Sequence, residues 1–419
     1  MAESDDGRQR AANRLLRRWA DAPPLLAGFR ALDLTDEKGW LCGRILADMG
    51  VEVIKVEPPD GDPARQLGPF LDSQPHPERS LYWMAYNAGK KGITLDLTTA
   101  ADRDRFLALV KRAHFVIESA PPGHLASLGL GYAALSAANP AIVVTSITPL
   151  GQSGPRRNYR ASDLTLMALG GIMHLTGEAD REPLRLMLDQ SYYLACGHAS
   201  VGSLLAHHYR QPTGLGQHVD IAILDCLVRM NYRDPVRWEI EGRSSQRSGS
   251  RMARGVVANR VVWPCQGGYV CWSLIGGQTG AKENYPLTAW IADEGIPDAE
   301  RLREVQWEKV DLALTTQAQL DEWEEVIGRF FARHTPQELQ EGGTKRRLTI
   351  AAMNTVADVR RMRQLDSRGY WVAVDHPELD RQITYPGHFL LSSATTNTIR
   401  RRAPLIGEHN GEVLGELES

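Results

Sequence analysis

Short runs rich in Val, Ile and Leu alternate with amphipathic segments along the first part of the chain. Such runs predict β-strands, because β-branched residues are enriched in strands. They occupy residues 29–35, 51–57, 92–97, 114–119 and 141–147. Between them, residues 39–50 and 100–112 carry apolar side chains at helical spacing and predict helices. Strands that alternate with helices indicate an α/β fold with a parallel sheet covered on both faces.

The middle of the chain has a different pattern. Residues 188–209 predict one long helix, residues 212–217 predict a turn, and residues 218–224 predict a strand or a helix start. Further on, residues 261–275 predict a hairpin around Gly267-Gly268. Thr335, followed three residues later by Glu338, predicts a capping box at the start of another helix.

A shift in composition suggests two domains, since residues 235–370 are richer in Trp, Arg and Glu. A chain of 419 residues also exceeds the size of one ordinary core. At the N-terminus, Leu15, Leu16 and Trp19 share one face of a predicted helix. The predicted parts are an N-terminal extension (1–24), the first part of a large domain (25–234), a small domain (235–372) and a C-terminal return to the large domain (373–419).

Composition excludes several classes of protein. The net charge is −3, which does not indicate binding to nucleic acid or to an anionic membrane. No apolar run reaches the ~18 residues of a membrane-spanning helix. The five cysteines form no CxxC pair, which favours reduced thiols in the cytoplasm over disulfides or a metal site. The first strand lacks a following GxGxxG motif, so we expect no NAD.

Several motifs together resemble the class III CoA-transferases, a family that also contains α-methylacyl-CoA racemases. They occur in the order of that family and cover most of the chain. They are LADMGVEVIKVEPPDGDPAR (46–65), YNAGKKGITLDL (86–97), VIESAPPGHLASLGLGYAALSAANPAIV (116–143), PTGLGQHVDIAILD (212–225) and RAPLIGEHN (402–410).

The resemblance implies a fold, a reaction and partners. The fold is a Rossmann-like large domain with a smaller α+β domain, in an interlocked dimer. The reaction moves coenzyme A between carboxylic acids through an aspartyl-CoA intermediate, so acyl-CoA and acid substrates are expected and no metal is required. A carboxylate suits this chemistry because its anhydride and thioester conserve the activation energy of the donor.

The aspartate that the family uses as nucleophile is displaced in this sequence. Counting along the matching segment places Tyr192 at its position, and the nearest carboxylate is Asp189, three residues earlier. In one interpretation Asp189 is the nucleophile, since positions three apart share a helix face. In the other it caps helix 190–209, and the frequency of aspartate caps favours this reading.

A tyrosine at this position also occurs in relatives that resemble the E-type subunit of benzylsuccinate CoA-transferase. Such a subunit works beside a second chain that carries the aspartate. The sequence therefore leaves open a homodimer and a hetero-oligomer, such as a heterotetramer with a homologous CoA-transferase subunit. In the second case this chain is a non-catalytic subunit.

An acyl-CoA racemase or isomerase is the alternative function. Asp163 stands where the racemases keep an acid/base aspartate. Racemisation also needs a base on the opposite face of the α-carbon. The expected position of that histidine, near residues 131–133, holds Gly, Tyr and Ala, while His124 lies in a different loop. Without an active role, Asp163 is a buried carboxylate at a helix start.

The resemblance also supplies candidate CoA contacts. CoA carries phosphates, which favours basic side chains at its site. The candidates are Lys38, Arg65, Lys90, Ser119, Ala120, Ser127, Leu128 and Arg160. Two departures weaken the expected affinity. Ser119-Ala120 replaces a common Asn-Phe pair, and Ser127 stands where many members have an arginine. Any of the basic residues can instead be a solvated surface charge.

Overall fold

The computed structural model describes residues 22–254 and 257–417. Within them the chain forms two compact units. The first contains residues 22–172, 186–240 and 362–417, and the second contains residues 173–185 and 241–361. Residues 173–185, which the sequence assigned to the large domain, thus belong to the second unit. The predicted helix with Leu15, Leu16 and Trp19 lies outside the described residues.

The first five strands match the predicted Val- and Ile-rich runs, and further strands follow in both units. They are β1 (Arg30–Leu34), β2 (Glu52–Glu57), β3 (Lys91–Thr94), β4 (Phe115–Glu118), β5 (Val143–Thr148), β6 (His218–Ala222), β7 (Arg251–Arg254), β8 (Val257–Arg260), β9 (Val262–Cys265), β10 (Gly268–Cys271), β11 (Ala351–Ala352), β12 (Trp371–His376) and β13 (Arg381–Pro386).

The helices connect these strands and cover them. They are α1 (Trp40–Asp48), α2 (Leu81–Asn87), α3 (Ala100–Lys111), α4 (His124–Ser127), α5 (Tyr132–Ala138), α6 (Asp163–Leu169), α7 (Gln190–Thr213), α8 (Ile223–Met230), α9 (Arg233–Glu241), α10 (Gly277–Asp293), α11 (Ala299–Arg303), α12 (Gln317–Phe331), α13 (Pro336–Arg346), α14 (Val356–Arg360), α15 (Arg363–Ser367) and α16 (Asn410–Gly415).

A six-stranded parallel sheet organises the first unit. Its strand order is β3-β2-β1-β4-β5-β6, and every neighbouring pair is parallel. This is the order of the doubly wound nucleotide-binding folds, in which the direction of winding reverses between β1 and β4. The α/β fold with a parallel sheet is therefore confirmed.

Apolar side chains on both faces of this sheet hold the first unit together. Phe115 and Ile117 of β4 point to one face and pack with residues of α1, α7 and α8. Val116, between them, points to the other face and packs with Phe106 of α3 and Val413 of α16. Successive side chains of a strand alternate between faces, so a run without polar residues is buried on both sides.

The GEHN motif attaches the C-terminal tail to the edge of the sheet. The Asn410 side chain accepts a hydrogen bond from the Thr94 amide at 2.8 Å and donates one to the Thr94 hydroxyl at 2.9 Å. The His409 amide donates to the Gly92 carbonyl at 2.9 Å. These contacts give the motif a structural role at β3.

The second unit has its own core and small antiparallel sheet. Strands β9 and β10 form the predicted hairpin, and β11 pairs with β10. Trp263 and Trp307 are fully buried in its core. Helix α13 begins with the predicted capping box, in which Thr335 and Glu338 each accept from the other's backbone amide.

Helix α7 differs from its predicted bounds, because it runs from Gln190 to Thr213 rather than from 188 to 209. Pro212 lies inside its last turn, and Gly214, with a φ of +71°, closes the helix. The predicted turn at 212–217 therefore begins only after Thr213. Within residues 22–254 and 257–417, no helix combines the length and the apolar character that a membrane span needs.

Candidate active site

The loops after β1 and β4 meet where the winding of the sheet reverses. Ser119 follows β4, and its hydroxyl donates to the Asp36 carboxylate at 2.7 Å and accepts from the Asp36 amide at 2.8 Å. Lys38, in the loop after β1, forms an ion pair with Asp36. In folds of this type ligands bind outside the carboxyl ends of the strands, at this reversal. Lys38 and Ser119, both predicted CoA contacts, lie in these two loops.

A cavity of about 300 Å³ opens beside this point, at the carboxyl ends of β1 to β4. Ala120 and Leu128, both predicted CoA contacts, line it together. Ser127 is exposed at the end of α4, and its hydroxyl donates to the His124 carbonyl at 2.7 Å. The other lining residues are Leu34, Val56, Glu57, Pro58, Leu95, Asp96, Leu97, Thr98, His124 and Leu125.

Two of the predicted basic contacts are interior residues instead. Arg65 is fully buried, and its guanidinium is paired with Glu57 at 2.6 Å. Lys90 is also fully buried and paired with Asp33 at 2.8 Å. A phosphate at either side chain would have to replace an existing carboxylate partner, so this placement does not support their predicted contact with CoA. Arg160, in contrast, is exposed in the loop before α6.

Asp189 occupies the N-cap position of α7 but does not act as a cap through its side chain. None of the amides of α7 bonds to its carboxylate. The Tyr82 hydroxyl instead donates to Asp189 Oδ2 at 2.7 Å. Asp189 is half-buried, so the carboxylate remains accessible at the positive end of a 24-residue helix. Asp189 is thus the N-cap residue, as one interpretation stated, but its side chain does not make the capping hydrogen bond.

Asp163 performs the capping that the sequence assigned to Asp189. Its Oδ1 accepts from the Ser191 amide at 3.0 Å and from the Ser191 hydroxyl at 2.7 Å. Asp163 begins α6 and is only 5% exposed, as expected of a buried carboxylate at a helix start. Its Oδ2 is buried without a hydrogen-bond partner among the described residues. The contact ties the start of α6 to the start of α7.

Tyr192, in the first turn of α7, is largely buried, at 6% exposure. Burial raises its pKa, and the nearby Glu37 carboxylate raises it further. The Cys196 thiol, one turn later, donates to the Lys38 carbonyl at 3.2 Å and fixes the loop against the helix. Burial and the adjacent Asp36 also raise the pKa of Glu37. A neutral tyrosine thus fills the predicted nucleophile position.

Three tyrosines form a cluster beside Asp189, which we call the tyrosine cluster: Tyr82, Tyr86 and Tyr193. The rings of Tyr86 and Tyr193 are stacked, with centroids 5.1 Å apart. The rings of Tyr82 and Tyr86 meet edge to face at 4.9 Å. Burial raises the pKa of the Tyr82 hydroxyl, and its bond to Asp189 raises it further. The hydroxyl therefore stays protonated and remains a hydrogen-bond donor to the carboxylate.

The sequence reasoning did not identify the tyrosine cluster or Glu37. One signal was present, since Tyr82 and Tyr86 are four residues apart and share a face of α2. Their partner Asp189, however, lies 107 residues further along the chain from Tyr82. No local pattern brings these residues together.

Glu118 is a second buried carboxyl group, at the carboxyl end of the central strand β4. It ends β4, is 5% exposed, and accepts a hydrogen bond from the Ala120 amide at 2.7 Å. Burial raises its pKa to about 7. The protonated form therefore persists up to about pH 7, next to the segment that carries two candidate CoA contacts.

We expect the Glu118 carboxyl to make stability depend on pH. Its pKa is about 7 in the folded protein, against the 4.5 of an ordinary glutamate, so the folded state binds more protons between these values. The contribution is complete below about pH 4.5, and about 3 kcal/mol is lost as pH rises through about 7. The variant Glu118→Gln should lack this dependence in urea unfolding at about pH 5 and about pH 8. The exposed Asp104→Asn serves as control, and an unchanged pH slope in Glu118→Gln would contradict the assignment.

No group of three or more His, Cys, Asp or Glu in the described ranges is arranged to hold a metal ion. The groups beside Asp189 are instead tyrosines and a helix N-terminus. Such a set can hold a carboxylate in place and stabilise negative charge near it.

Comparisons with known proteins agree with this architecture. The family model "CoA-transferase family III" matches residues 26–410. The chain is 34% identical to succinyl-CoA:(R)-benzylsuccinate CoA-transferase subunit BbsE of Thauera aromatica, over 93% of both chains. It is 31% identical to succinyl-CoA:mesaconate CoA-transferase of Haloarcula hispanica, over 93% of this chain and 96% of that one.

A solved structure shows the same fold. The crystal structure of a CAIB/BAIF family protein from Brucella suis superposes with a TM-score of 0.80 at 26% identity, covering 95% of this chain and all of the other. The family model, the relatives and the fold all cover nearly the whole chain, and the named relatives transfer CoA. The chain belongs to CoA-transferase family III and is an enzyme of CoA transfer.

Proposed function

We propose that this chain transfers CoA from an acyl-CoA to a free carboxylic acid, with Asp189 as the carboxylate that becomes acylated. The observation that carries this proposal is the hydrogen bond from the Tyr82 hydroxyl to Asp189 Oδ2, at 2.7 Å. It holds an accessible carboxylate at the start of α7 while Asp163 performs the capping there. The carboxylate is thus free of a structural role in the helix.

The reaction conserves atoms and charge. A carboxylate oxygen of Asp189 attacks the thioester carbonyl, the C–S bond breaks, and CoA leaves as a thiolate with a mixed anhydride remaining on Asp189. The thiolate then attacks the Asp189 carbonyl and releases the donor acid, which leaves an aspartyl-CoA thioester. The acceptor carboxylate repeats these two steps in the reverse sense and leaves as acyl-CoA.

Two groups near Asp189 suit the charge that develops in these steps. The aligned peptide dipoles of α7 give its N-terminal end a partial positive charge. The Tyr82 hydroxyl is already directed at a carboxylate oxygen. Donors fixed in advance stabilise an oxyanion without reorganisation during the reaction.

We place part of the CoA moiety in the same unit. The cavity of about 300 Å³ lies at the carboxyl ends of the strands, and Ala120 and Leu128 line it. Its volume suits a part of CoA such as the base, not the whole molecule. Lys38 and Arg160 are the basic candidates that are not fully buried, so we assign contacts with the phosphates to them. Ser119 holds the loop that contains Lys38.

Trapping of the acylated enzyme tests the proposal. Succinyl-CoA is a suitable donor because it is named in both relatives described above. With succinyl-CoA and hydroxylamine, the carbonyl of the acylated residue becomes a hydroxamate, which peptide mass spectrometry locates. We expect the hydroxamate on Asp189 and none on Asp163, which is buried in the cap of α7. Modification of Glu37 instead, or of no residue, would contradict the proposed role of Asp189.

A second candidate function is that of a subunit that completes the active site of a homologous chain. Tyr192 at the nucleophile position favours it, as does the similarity to the subunit BbsE. The surface of α7 adds a structural observation. Val201, Leu205 and Tyr209 are 58%, 65% and 53% exposed, and their spacing places them in one stripe. Apolar surface of this kind commonly marks an interface with another chain.

Assembly through this stripe has a direct test. The variant Leu205→Arg places a charge in the stripe and should shift the protein from an oligomer to a smaller species in sedimentation analysis, because an unpaired charge in an interface is costly. The matched control is Leu314→Arg in the second unit, where the side chain is 84% exposed. An unchanged oligomeric state in Leu205→Arg would exclude the stripe as an interface.

A further inference from the structure

The buried carboxyl group of Glu118 contacts the segment that lines the cavity at the carboxyl ends of the strands. Its Oε2 accepts a hydrogen bond from the Ala120 amide at 2.7 Å, and Ala120 lines the cavity. Glu118 itself is 5% exposed and is not among the lining residues. A molecule in the cavity therefore touches Ala120, while the carboxyl group lies one hydrogen bond away from that contact.

The charged groups that act on Glu118 are acidic. Burial is the largest cause of its raised pKa, and the negative charges of Asp36, after β1, and Asp220, in β6, raise the pKa further. Lys38 is paired with Asp36 rather than with Glu118. Among the described residues, Glu118 forms no ion pair with Lys or Arg. The titratable residues of the cavity wall are Glu57, which is paired with Arg65, and Asp96 and His124.

A chain of hydrogen bonds connects this carboxyl group to the surface. Ser146 is the neighbour of Glu118 across β4 and β5, and the Ser146 hydroxyl donates to the carboxylate. Ser146 Oγ also lies 2.8 Å from Nε2 of His218, which is exposed in the edge strand β6. Partial burial lowers the pKa of His218, so the ring is largely neutral at about pH 7. Since a hydroxyl both donates and accepts, a proton can pass between Glu118 and the surface along this chain.

CoA brings negative charge to this end of the sheet. We assigned its phosphates to Lys38 and Arg160, and the inference made here rests on that part of the proposed function. Lys38 is paired with Asp36, which bonds to Ser119, the residue after Glu118. Negative charge nearby raises the pKa of a buried carboxyl group, where screening by salt is weak. Bound CoA therefore favours the neutral form of Glu118, and by reciprocity the neutral form favours bound CoA.

We propose that Glu118 couples the binding of CoA to the uptake of a proton without touching the ligand. CoA binds most tightly while this carboxyl group is neutral, and ionisation of the group weakens binding. The pKa of Glu118 is about 7 without ligand and is higher when CoA is bound. The affinity is therefore greatest below about pH 7, falls as the pH rises through both values, and is lowest above them. A rise of about one unit in the pKa corresponds to about a tenfold difference in affinity.

Calorimetric titration of the full-length protein with dephospho-CoA tests this coupling. The probe lacks the 3′-phosphate, whose second ionisation near pH ~6 would add a pH dependence of its own. The wild type should bind about fivefold to tenfold more weakly at about pH 8.5 than at about pH 6. At about pH 7 the binding enthalpy should change with the ionisation enthalpy of the buffer in the sense of proton uptake. An affinity that does not fall with pH, or binding without proton uptake, overturns the proposal.

Variants identify the responsible group. Glu118→Gln stays neutral and should keep the affinity measured at low pH throughout the range. Histidine also changes charge between about pH 5 and 8, so His124→Gln in the cavity wall is the matched control. Whatever its effect on the affinity, His124→Gln should retain the fall with pH. The proposal is overturned if His124→Gln loses the fall or Glu118→Gln keeps it.

A third variant protects the test against misfolding of Glu118→Gln. Asp220→Asn removes one of the charges that raise the pKa of Glu118, so the fall in affinity should move to lower pH. An unchanged position of the fall in a folded Asp220→Asn protein would contradict the assignment to Glu118.

The coupling and the proposed function fail in different ways. If dephospho-CoA does not bind at any pH, the placement of CoA at this end of the sheet is wrong, and the coupling is wrong with it. If dephospho-CoA binds equally well at about pH 6 and about pH 8.5, only the coupling is wrong. The formation of a hydroxamate on Asp189 is measured separately and depends on neither result.

Discussion

Replacement of Arg65 by Met is expected to lower the stability of the first unit by about 3–5 kcal/mol, the range for breaking a buried ion pair. The guanidinium is fully buried and bonds to Glu57 at 2.6 and 2.8 Å. It also pairs with Glu78 at 2.8 Å and lies 3.6 Å from the centroid of the Trp83 ring. Met fills part of the space but leaves the carboxylate of Glu57, 1% exposed, without its cation.

The uncompensated charge is the main source of this loss, and a double variant measures it. Arg65→Met combined with Glu57→Gln should recover part of the stability, because no buried charge then remains. Arg105→Met is the matched control, since Arg105 pairs with Asp102 at 2.9 Å on the surface and should cost no more than about 1 kcal/mol. Urea unfolding followed by circular dichroism gives all four values. If Arg65→Met were instead stable and deficient in CoA binding, Arg65 would be a ligand contact after all.

The buried charges show what sequence reasoning can and cannot recover. Arg65 and Lys90 were assigned to CoA because its phosphates favour basic side chains, and the alternative was a solvated surface charge. Yet Lys55 and Glu57 lie within the Val-rich strand VEVIKVE, which was correctly expected to be covered on both faces. Charges inside such a strand must be paired. The sequence therefore contained a sign of interior ion pairs, although not the identity of the partners.

The sequence predicted which segments form strands and helices better than it predicted the residues at which they end. The strands follow from runs of Val and Ile. Residues 218–224 form the whole of β6 and the first two residues of α8, so each of the two alternatives holds for part of the segment. The end of α7 did not follow the usual rule that helices stop before proline. Pro212 is in the last turn, where the Gly214 amide still bonds to the Arg210 carbonyl at 2.8 Å. This hydrogen bond, from a residue after the proline, shows that α7 extends past Pro212, and the sequence pattern does not predict it.

The candidate site depends on contacts between distant parts of the chain. Tyr82 and Asp189 are 107 residues apart, and Ser191 is 28 residues from its capping partner Asp163. The local pattern correctly placed a carboxylate at the start of α7. The pattern could not show that Asp163 rather than Asp189 accepts the hydrogen bond of the capping contact. That contact depends on how α6 packs against α7.

Replacement of Asp189 by Asn should reduce CoA transfer by about a thousandfold or more, since an amide cannot form the anhydride that carries the acyl group. Asn suits the N-cap position as well as Asp, and the capping contacts of Asp163 are untouched, so the fold should be retained. Tyr82→Phe removes only the hydrogen bond to the carboxylate. It should lower kcat about tenfold to a hundredfold, the loss expected for a hydrogen bond to a charged group, with a smaller change in KM.

The same variants decide between the two candidate functions. If this chain performs the chemistry, Asp189→Asn abolishes both transfer and hydroxamate formation, whether the chain is purified alone or co-expressed with a homologous subunit. If it completes the site of another chain, the purified chain is inactive. The co-expressed complex then retains transfer in Asp189→Asn and loses it when the partner's own aspartate is replaced. The second result would remove Asp189 from the reaction and explain why Tyr192, buried and neutral, occupies the nucleophile position.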